Sequence, residues 1–319
     1  MKNIIVIGCA GQLGSELVLA LRKNYGVSNV VATDIAPEKI TGELAEGPME
    51  QLDVRDAKTL ANLVDKYKID TIYNLASLLS ATAEKNPQLA LEIGLKGHYN
   101  VLEVSREKKC AVFFPSSIGS FGPTTPQDNT PQDTIQRPNT IYGVTKVSAE
   151  LLGDYYFKRF GVDSRGVRFP GIISNVTLPG GGTTDYAVEI YYAAVKEGKF
   201  VCPLKKGTFL DMMYMPDAIK AALNVMEADL SKLKHHNGFN VTAMTFDPEM
   251  IANAIKKRLP NFEMVYEVEP IKQSIADSWP NSLDDSCARE EWGWAPYWNL
   301  ENMTDDMLKV ISEKYGKKF

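Results

Sequence analysis

Tyr142 and Lys146 stand four residues apart in Tyr142-Gly143-Val144-Thr145-Lys146, so on a helix the phenol and the ammonium group share one face about one turn apart. A phenol that titrates near ~10 is a poor base at neutral pH, but a neighbouring cation favours the phenolate and lowers that value. The pair can therefore move a proton. Ser117 is a third candidate, a hydroxyl that could hold a substrate oxygen while Tyr142 exchanges its proton. Farther along, Gly180-Gly181-Gly182-Thr183-Thr184-Asp185 feeds hydroxyls and a carboxylate into a helix start. Thr184 or Asp185 caps that helix or meets a ligand, and the two roles are compatible. A surface tyrosine beside a solvated lysine has the same spacing, so these residues acquire meaning only from the elements that carry them.

Residues 3–7 read as a continuously apolar, β-branched strand of the kind buried on both faces of a parallel sheet. Gly8-Cys9-Ala10-Gly11-Gln12-Leu13-Gly14 follows and runs into a helix with Leu13, Leu17, Val18 and Leu21 on its apolar side. Glycines at this spacing allow the tight turn, the approach of backbone to a pyrophosphate and close helix-sheet packing. A second strand, 29–33, ends in Asp34, where a carboxylate accepts hydrogen bonds from a ribose 2′-hydroxyl and repels a 2′-phosphate. NAD is thus expected over NADP. The next apolar piece, 49–54, places Asp53 and Val54 at an adenine, and Asp56 caps a helix reaching Tyr67.

Residues 71–76 form the fourth strand and lead into a small-residue loop, 77–82. Leu75, Ala76 and Ser77 are expected beside the cofactor, with Ser80 farther out toward substrate. A long helix, 87–108, precedes a fifth strand, 110–114, that runs into Pro115-Ser116-Ser117. Helix 141–160 carries Tyr142 and Lys146, and a sixth strand, 165–169, closes in Pro170-Gly171. Strands alternating with helices in this way predict an α/β doubly wound parallel sheet, a Rossmann domain over residues 1–171. Residues 172–319 are expected to form mainly a smaller substrate-binding domain, with some segments returning to the first.

Composition narrows the function. Lys plus Arg total 35 against 40 Asp plus Glu in 319 residues, a net charge of -5, which lacks the concentrated positive field of a nucleic-acid binder. No apolar run approaches the ~20 residues of a membrane span, and the first residues read as neither signal nor transit peptide, so a cytoplasmic chain is expected. Cys9, Cys110, Cys202 and Cys287 show no paired spacing, and His98, His235 and His236 have no ligand-like arrangement with Cys or Glu. No metal is expected.

Together, Gly8, Gly11, Gly14, Asp34, Asn74-Leu75-Ala76, Ser117, Tyr142 and Lys146 resemble the extended short-chain dehydrogenase/reductase family, relatives of UDP-galactose epimerase. The resemblance implies Tyr142 as acid/base, Ser117 as its hydroxyl partner, Lys146 as the group that lowers the tyrosine pKa and holds the nicotinamide ribose, and Pro170 beside the nicotinamide. Two residues depart from it. Gly94 stands where many relatives place an Asn of a proton relay, and Leu210 precedes Asp211 where sugar-nucleotide enzymes carry an Arg that grips a diphosphate.

A finer resemblance, to the short-chain type of L-threonine 3-dehydrogenases, lies in Arg168-Phe169-Pro170-Gly171-Ile172-Ile173-Ser174, residues 179–187, residues 211–218 and Ser278-Trp279-Pro280-Asn281-Ser282-Leu283-Asp284-Asp285. It implies oxidation of L-threonine to 2-amino-3-oxobutyrate with NAD reduced, and a homodimer formed through helices 87–108 and 141–160. Ser80, Gly182, Thr183, Thr184 and Asp185 are the expected contacts to the amino acid, with Asp185 the natural ammonium partner. An NAD-retaining epimerase or dehydratase and a non-catalytic NAD-binding regulator are the competing readings.

Overall fold

The four residues Ile-Ile-Val-Ile of β1 (Ile4–Ile7) are buried on both sides, which is why the strand carries no polar alternation. In the computed structural model, which describes residues 1–178, 180–317 and 319, it lies at the centre of a sheet. Pro179, within the expected substrate loop, and Lys318 lie outside the described residues. Five further strands precede residue 170: β2 (Val30–Asp34), β3 (Met49–Gln51), β4 (Thr71–Asn74), β5 (Ala111–Ser117) and β6 (Ser164–Phe169). After them come β7 (Gly171–Ile173), β8 (Lys199–Cys202), β9 (Leu210–Tyr214), β10 (Phe239–Asn240), β11 (Met244–Phe246) and β12 (Glu263–Tyr266).

The main sheet has seven parallel strands in the order β10-β6-β5-β4-β1-β2-β3. The chain moves outward from β1 through β2 and β3, then restarts on the other side of β1 with β4. That reversal opens a crevice beyond the carboxyl ends of β1 and β4. It is the doubly wound α/β sheet that the alternation of elements predicts.

Helices cover both faces. On one side α1 (Gln12–Tyr25) presents Leu17, Val18 and Leu21. On the other, α2 (Ala57–Tyr67) and a long helical run over residues 87–108 present Leu60, Val64, Val101 and Val104. Asp56 caps α2 by accepting from the Thr59 N–H at 3.0 Å. Several expected boundaries move: the fourth strand, expected at 71–76, ends at Asn74, and the fifth, expected at 110–114, runs on to Ser117. Strand 49–54 stops at Gln51 because β3 is an edge strand paired only with β2, and the loop expected at 77–82 becomes α3 (Ser80–Lys85) from Ser80 onward.

The helical run has three parts, α4 (Pro87–Leu91), a π-helical turn (Glu92–Gly97) and α5 (His98–Lys108). The extra residue of the π turn brings Gly94 and Gly97 against their neighbours. A Cβ on Gly94 would lie 3.0 Å from the Thr145 Cβ, and one on Gly97 would lie 2.6 Å from a Val54 methyl. Thr145 belongs to α6 (Ile141–Phe160), which the Thr140 hydroxyl caps by accepting from the Gly143 N–H at 3.1 Å.

Beyond residue 170 the remaining helices are α7 (Tyr186–Lys196), α8 (Met215–Glu227), α9 (Pro248–Lys256), α10 (Pro270–Ala276), α11 (Ser286–Trp292) and α12 (Leu300–Lys314). A second core forms where α7, α9 and α12 pack Tyr186, Tyr191, Ile251, Met303, Met307 and Ile311 together. The three-stranded sheet β11-β9-β7 and the pair β12-β8 belong to this part. By contrast α8 and β10 pack with the large sheet, Ala222 and Val225 meeting the same core as Val18 and Leu21. No helix among the described residues is long and apolar enough to cross a membrane.

Candidate active site

A cleft of about 560 Å³ occupies the crevice at the strand ends. Its floor is the glycine turn. Gly8 has φ +80°, the left-handed region, and a Cβ there would lie 3.2 Å from the Ala76 N, while a Cβ on Gly14 would lie 2.4 Å from the Gly8 carbonyl oxygen. Gly11 is the N-cap of α1 and supplies no side-chain acceptor, so the first N–H groups of that helix are left to a ligand. Gln12 and Leu13 line the same wall, and the Gln12 Nε2 is buried without a hydrogen-bond partner among the described residues. An orphaned donor beside a helix N-terminus suits a phosphate oxygen, and the narrow glycine floor admits the backbone approach that a pyrophosphate requires. The cradle fits a dinucleotide.

Most of the residues expected at the cofactor line this cleft, namely Gly8, Gly11, Gln12, Leu13, Gly14, Leu75, Ser77, Tyr142, Lys146 and Pro170. Asp34, Asp53, Val54 and Ala76 are not in its wall. Asp34 instead braces the turn, accepting from the Ala10 N–H and the Ala36 N–H, each at 3.1 Å. A carboxylate has about four acceptor positions, so these bonds leave room for ribose hydroxyls. Asp53 is gripped by the Arg55 guanidinium at 2.6–3.1 Å, and Val54 is buried against Gly97. Lys39, which no motif in the sequence marks, also lines the cleft.

The chemical end is built from two elements that meet. α6 carries Tyr142, Lys146 and Glu150 on successive turns, and β5 ends in Pro115-Ser116-Ser117. The Lys146 ammonium donates to the Pro115 carbonyl at 2.7 Å, and the Ser116 hydroxyl donates to Glu150. Glu150 is in turn buried against Arg168 at 2.9 Å and accepts from Gln136. The start of α6 is pressed onto the turn after Ser117: a Cβ on Gly119 would lie 2.9 Å from the Tyr142 ring. Ser117, Tyr142 and Lys146 thus face one end of the cleft together.

The electrostatics differ from the simple expectation. Burial pushes the Tyr142 phenol above its ordinary value, and the Ser117 hydroxyl draws it back. Burial also brings Lys146 down to about 7, with Glu150 opposing the fall. In this structure the ammonium lies 5.3 Å from the centre of the phenol ring and its hydrogen bond goes to Pro115, so Lys146 does not lower the tyrosine as expected. Behind it His98, fully buried, is held neutral with a pKa of about 3 by burial first and by Lys146 second.

On the outer side Ser80 and Thr183 bring their hydroxyls within 3.4 Å of each other, with Gly182, Thr184 and Asp185 beside them in the same wall. Asp185 Oδ2 accepts from the Gly181 and Gly182 N–H groups at 2.8 and 2.6 Å, which ties the glycine loop down. Burial raises its carboxyl, and these backbone bonds partly offset the rise. Trp279, noted in the sequence only as part of the string that carries the finer resemblance, also lines this wall. Asp211, which burial raises to about 6, holds its segment by accepting from the Leu283 N–H at 2.8 Å. Leu210 beside it is fully buried in the second core, so the position that carries an arginine in sugar-nucleotide enzymes faces no ligand. No arginine is among the described residues that line the cleft.

His235, which has no ligand-like spacing in the sequence, lies with Cys287 and Glu291 because the loop before β10 folds onto α11.

Comparison with known proteins agrees with this geometry. Residues 4–241 match the family described as the NAD dependent epimerase/dehydratase family. Over 314 residues, 98% of each chain, the sequence is 54% identical to a Staphylococcus aureus protein described as an uncharacterized epimerase/dehydratase. The structure is similar to that of L-threonine dehydrogenase from Clostridium difficile, with a TM-score of 0.95, 52% identity and 98% of both chains covered. It is also similar to a GalE-like L-threonine dehydrogenase from Cupriavidus necator in its holo form, with a TM-score of 0.93 and 45% identity, covering 96% of this chain and 99% of that one.

Proposed function

The chain belongs to the NAD-dependent epimerase/dehydratase family, and we propose that within it the protein oxidises the 3-hydroxyl of L-threonine to 2-amino-3-oxobutyrate. NAD is its cofactor and the chain is an NAD-dependent oxidoreductase. The observation that carries the choice of substrate is the outer wall of the cleft, where Ser80, Thr183, Thr184 and Asp185 offer hydroxyls and one carboxylate without any arginine. A dianionic diphosphate finds no guanidinium there. A small zwitterion finds partners for both charges: Asp185 for the ammonium group, and the Ser80, Thr183 and Thr184 hydroxyls for the carboxylate. The likeness to two L-threonine dehydrogenases supports the same reading.

The substrate hydroxyl is held by Ser117 and Tyr142. Tyr142 as phenolate takes the hydroxyl proton as the carbon gives up its hydride, and Ser117 orients the oxygen. Lys146 would hold the nicotinamide ribose and steady the phenolate once the dinucleotide draws it from Pro115. NAD, when bound, supplies the hydride acceptor. Residues 180–182 form the glycine loop that closes over the ligand and sheds water.

The assay mixes the protein with NAD and, in separate arms, L-threonine, L-serine and UDP-glucose. NADH absorbance should grow with L-threonine and far less with L-serine. An epimerase that retains its cofactor would instead convert UDP-glucose without net NADH.

We also propose that a second copy packs on the face of α4, α5 and α6. Leu91, Tyr99, Leu151 and Tyr155 are exposed there, an apolar patch that a partner would cover.

A further inference from the structure

We propose that His235, Cys287 and Glu291 form a binding site for a thiophilic divalent cation of the zinc class, separate from the nicotinamide cleft. Cys287 and Glu291 stand on successive turns of α11 and so share one face. His235 reaches them from the loop that precedes β10. One ligand atom from each of the three lies within 4.8 Å of the others. Around a tetrahedral zinc the ligand atoms are about 3.3–3.8 Å apart, so small side-chain rotations bring the three onto one ion and leave a fourth position for water.

The frame is already built. Glu291 Oε2 accepts from the Lys234 N–H at 2.6 Å and the His235 N–H at 3.0 Å, leaving Oε1 against the His235 Nδ1 at 2.5 Å. The other ring nitrogen, Nε2, faces an Asp133 oxygen at 3.4 Å. An imidazole whose far nitrogen meets a carboxylate is the arrangement that orients a metal-bound histidine and raises its basicity. The surroundings call for positive charge as well. The carboxylates of Glu291, Asp284, Asp133 and Glu290 stand about the Cys287 thiol, whereas the neighbouring Arg289 is engaged with Asp285 at 2.7 Å. A dication would answer that excess, and the thiol proton would pass to solvent as the sulfur–metal bond forms. Thiolate, imidazole and carboxylate together favour zinc over magnesium or calcium, which take oxygen ligands. A histidine–glutamate clasp alone would explain the 2.5 Å contact, but not the thiol beside it or the second carboxylate behind the ring.

The test uses the full chain loaded with NAD. Zinc bound after equilibrium dialysis is measured by atomic absorption, and the alkylation rate of Cys287 is followed with and without Zn²⁺. Cys9, Cys110 and Cys202 are buried, so the alkylation reports on Cys287. One zinc per chain is expected, with alkylation slowed by Zn²⁺ and unchanged by Mg²⁺. Cys287→Ser and His235→Gln, both folded as judged by NAD binding, should each weaken zinc at least about ten-fold. Zinc held with wild-type affinity in either variant, or an alkylation rate indifferent to Zn²⁺, would overturn the site.

Discussion

Glu150 shows how much of this site is set by residues that touch no ligand. It stands one turn beyond Lys146 on α6, buried against Arg168, Gln136 and Ser116, and its charge opposes the fall that burial imposes on Lys146. The unfolded lysine titrates near ~10.4, so the unfolded chain binds the extra proton between about 7 and 10 and stability attributable to this group rises with pH across that window. Glu150→Gln leaves Arg168 buried without its partner, which costs about 3–5 kcal/mol. It also lowers Lys146 further and weakens its support for the phenolate. The acid limb of the kcat profile should therefore move to higher pH in the Gln variant; an unmoved limb in a variant that still folds would mean Glu150 is structural only. Tyr142, Lys146 and Ser117 could be singled out in the sequence because helical spacing, a strand end and the family resemblance mark them together, and the structure brings all three to one end of the cleft. Glu150, Lys39 and Trp279 were not assigned a role, because what they face, Arg168 for Glu150 and the cleft for Lys39 and Trp279, comes from distant parts of the chain.

Among the elements, the π turn of residues 92–97 explains the Gly94 departure physically. Its extra residue presses Gly94 onto α6, where a Cβ would meet the Thr145 Cβ at 3.0 Å, so a larger side chain would push the two helices apart. Gly94→Asn should destabilise the chain by about 1–3 kcal/mol in denaturant unfolding, as overpacking of a close contact does. Adding Thr145→Ala should recover part of the loss. No recovery would place the cost somewhere other than this helix contact. The glycine turn was readable from its spacing, and the helix at 141–160 from the alternation of strands and helices around it. The π turn was not, since it arises from packing and no residue type announces it. The shortened β3 has a similar origin: with a neighbour on one side only, strand pairing ends at Gln51, ahead of Asp53 and Val54.

For the whole molecule the order of strands decides where chemistry happens, because the reversal between β1 and β4 opens the crevice into which α6, β5 and residues 180–185 deliver their side chains. The outward face of α4 to α6 then remains available to a second copy. Sedimentation should report a dimer that Leu151→Glu with Tyr155→Glu converts to monomer, and a wild-type chain sedimenting as monomer would remove that proposal. The central claim is narrower: Tyr142 takes the hydroxyl proton of L-threonine at the end of the NAD cleft. Single-turnover formation of NADH from L-threonine, comparing wild type with Tyr142→Phe, tests it most directly. Loss of general-base catalysis is worth about 10²–10⁴-fold, so the rate should fall by that much while NAD binding by fluorescence stays intact. A Phe variant that forms NADH at the wild-type rate would contradict the account.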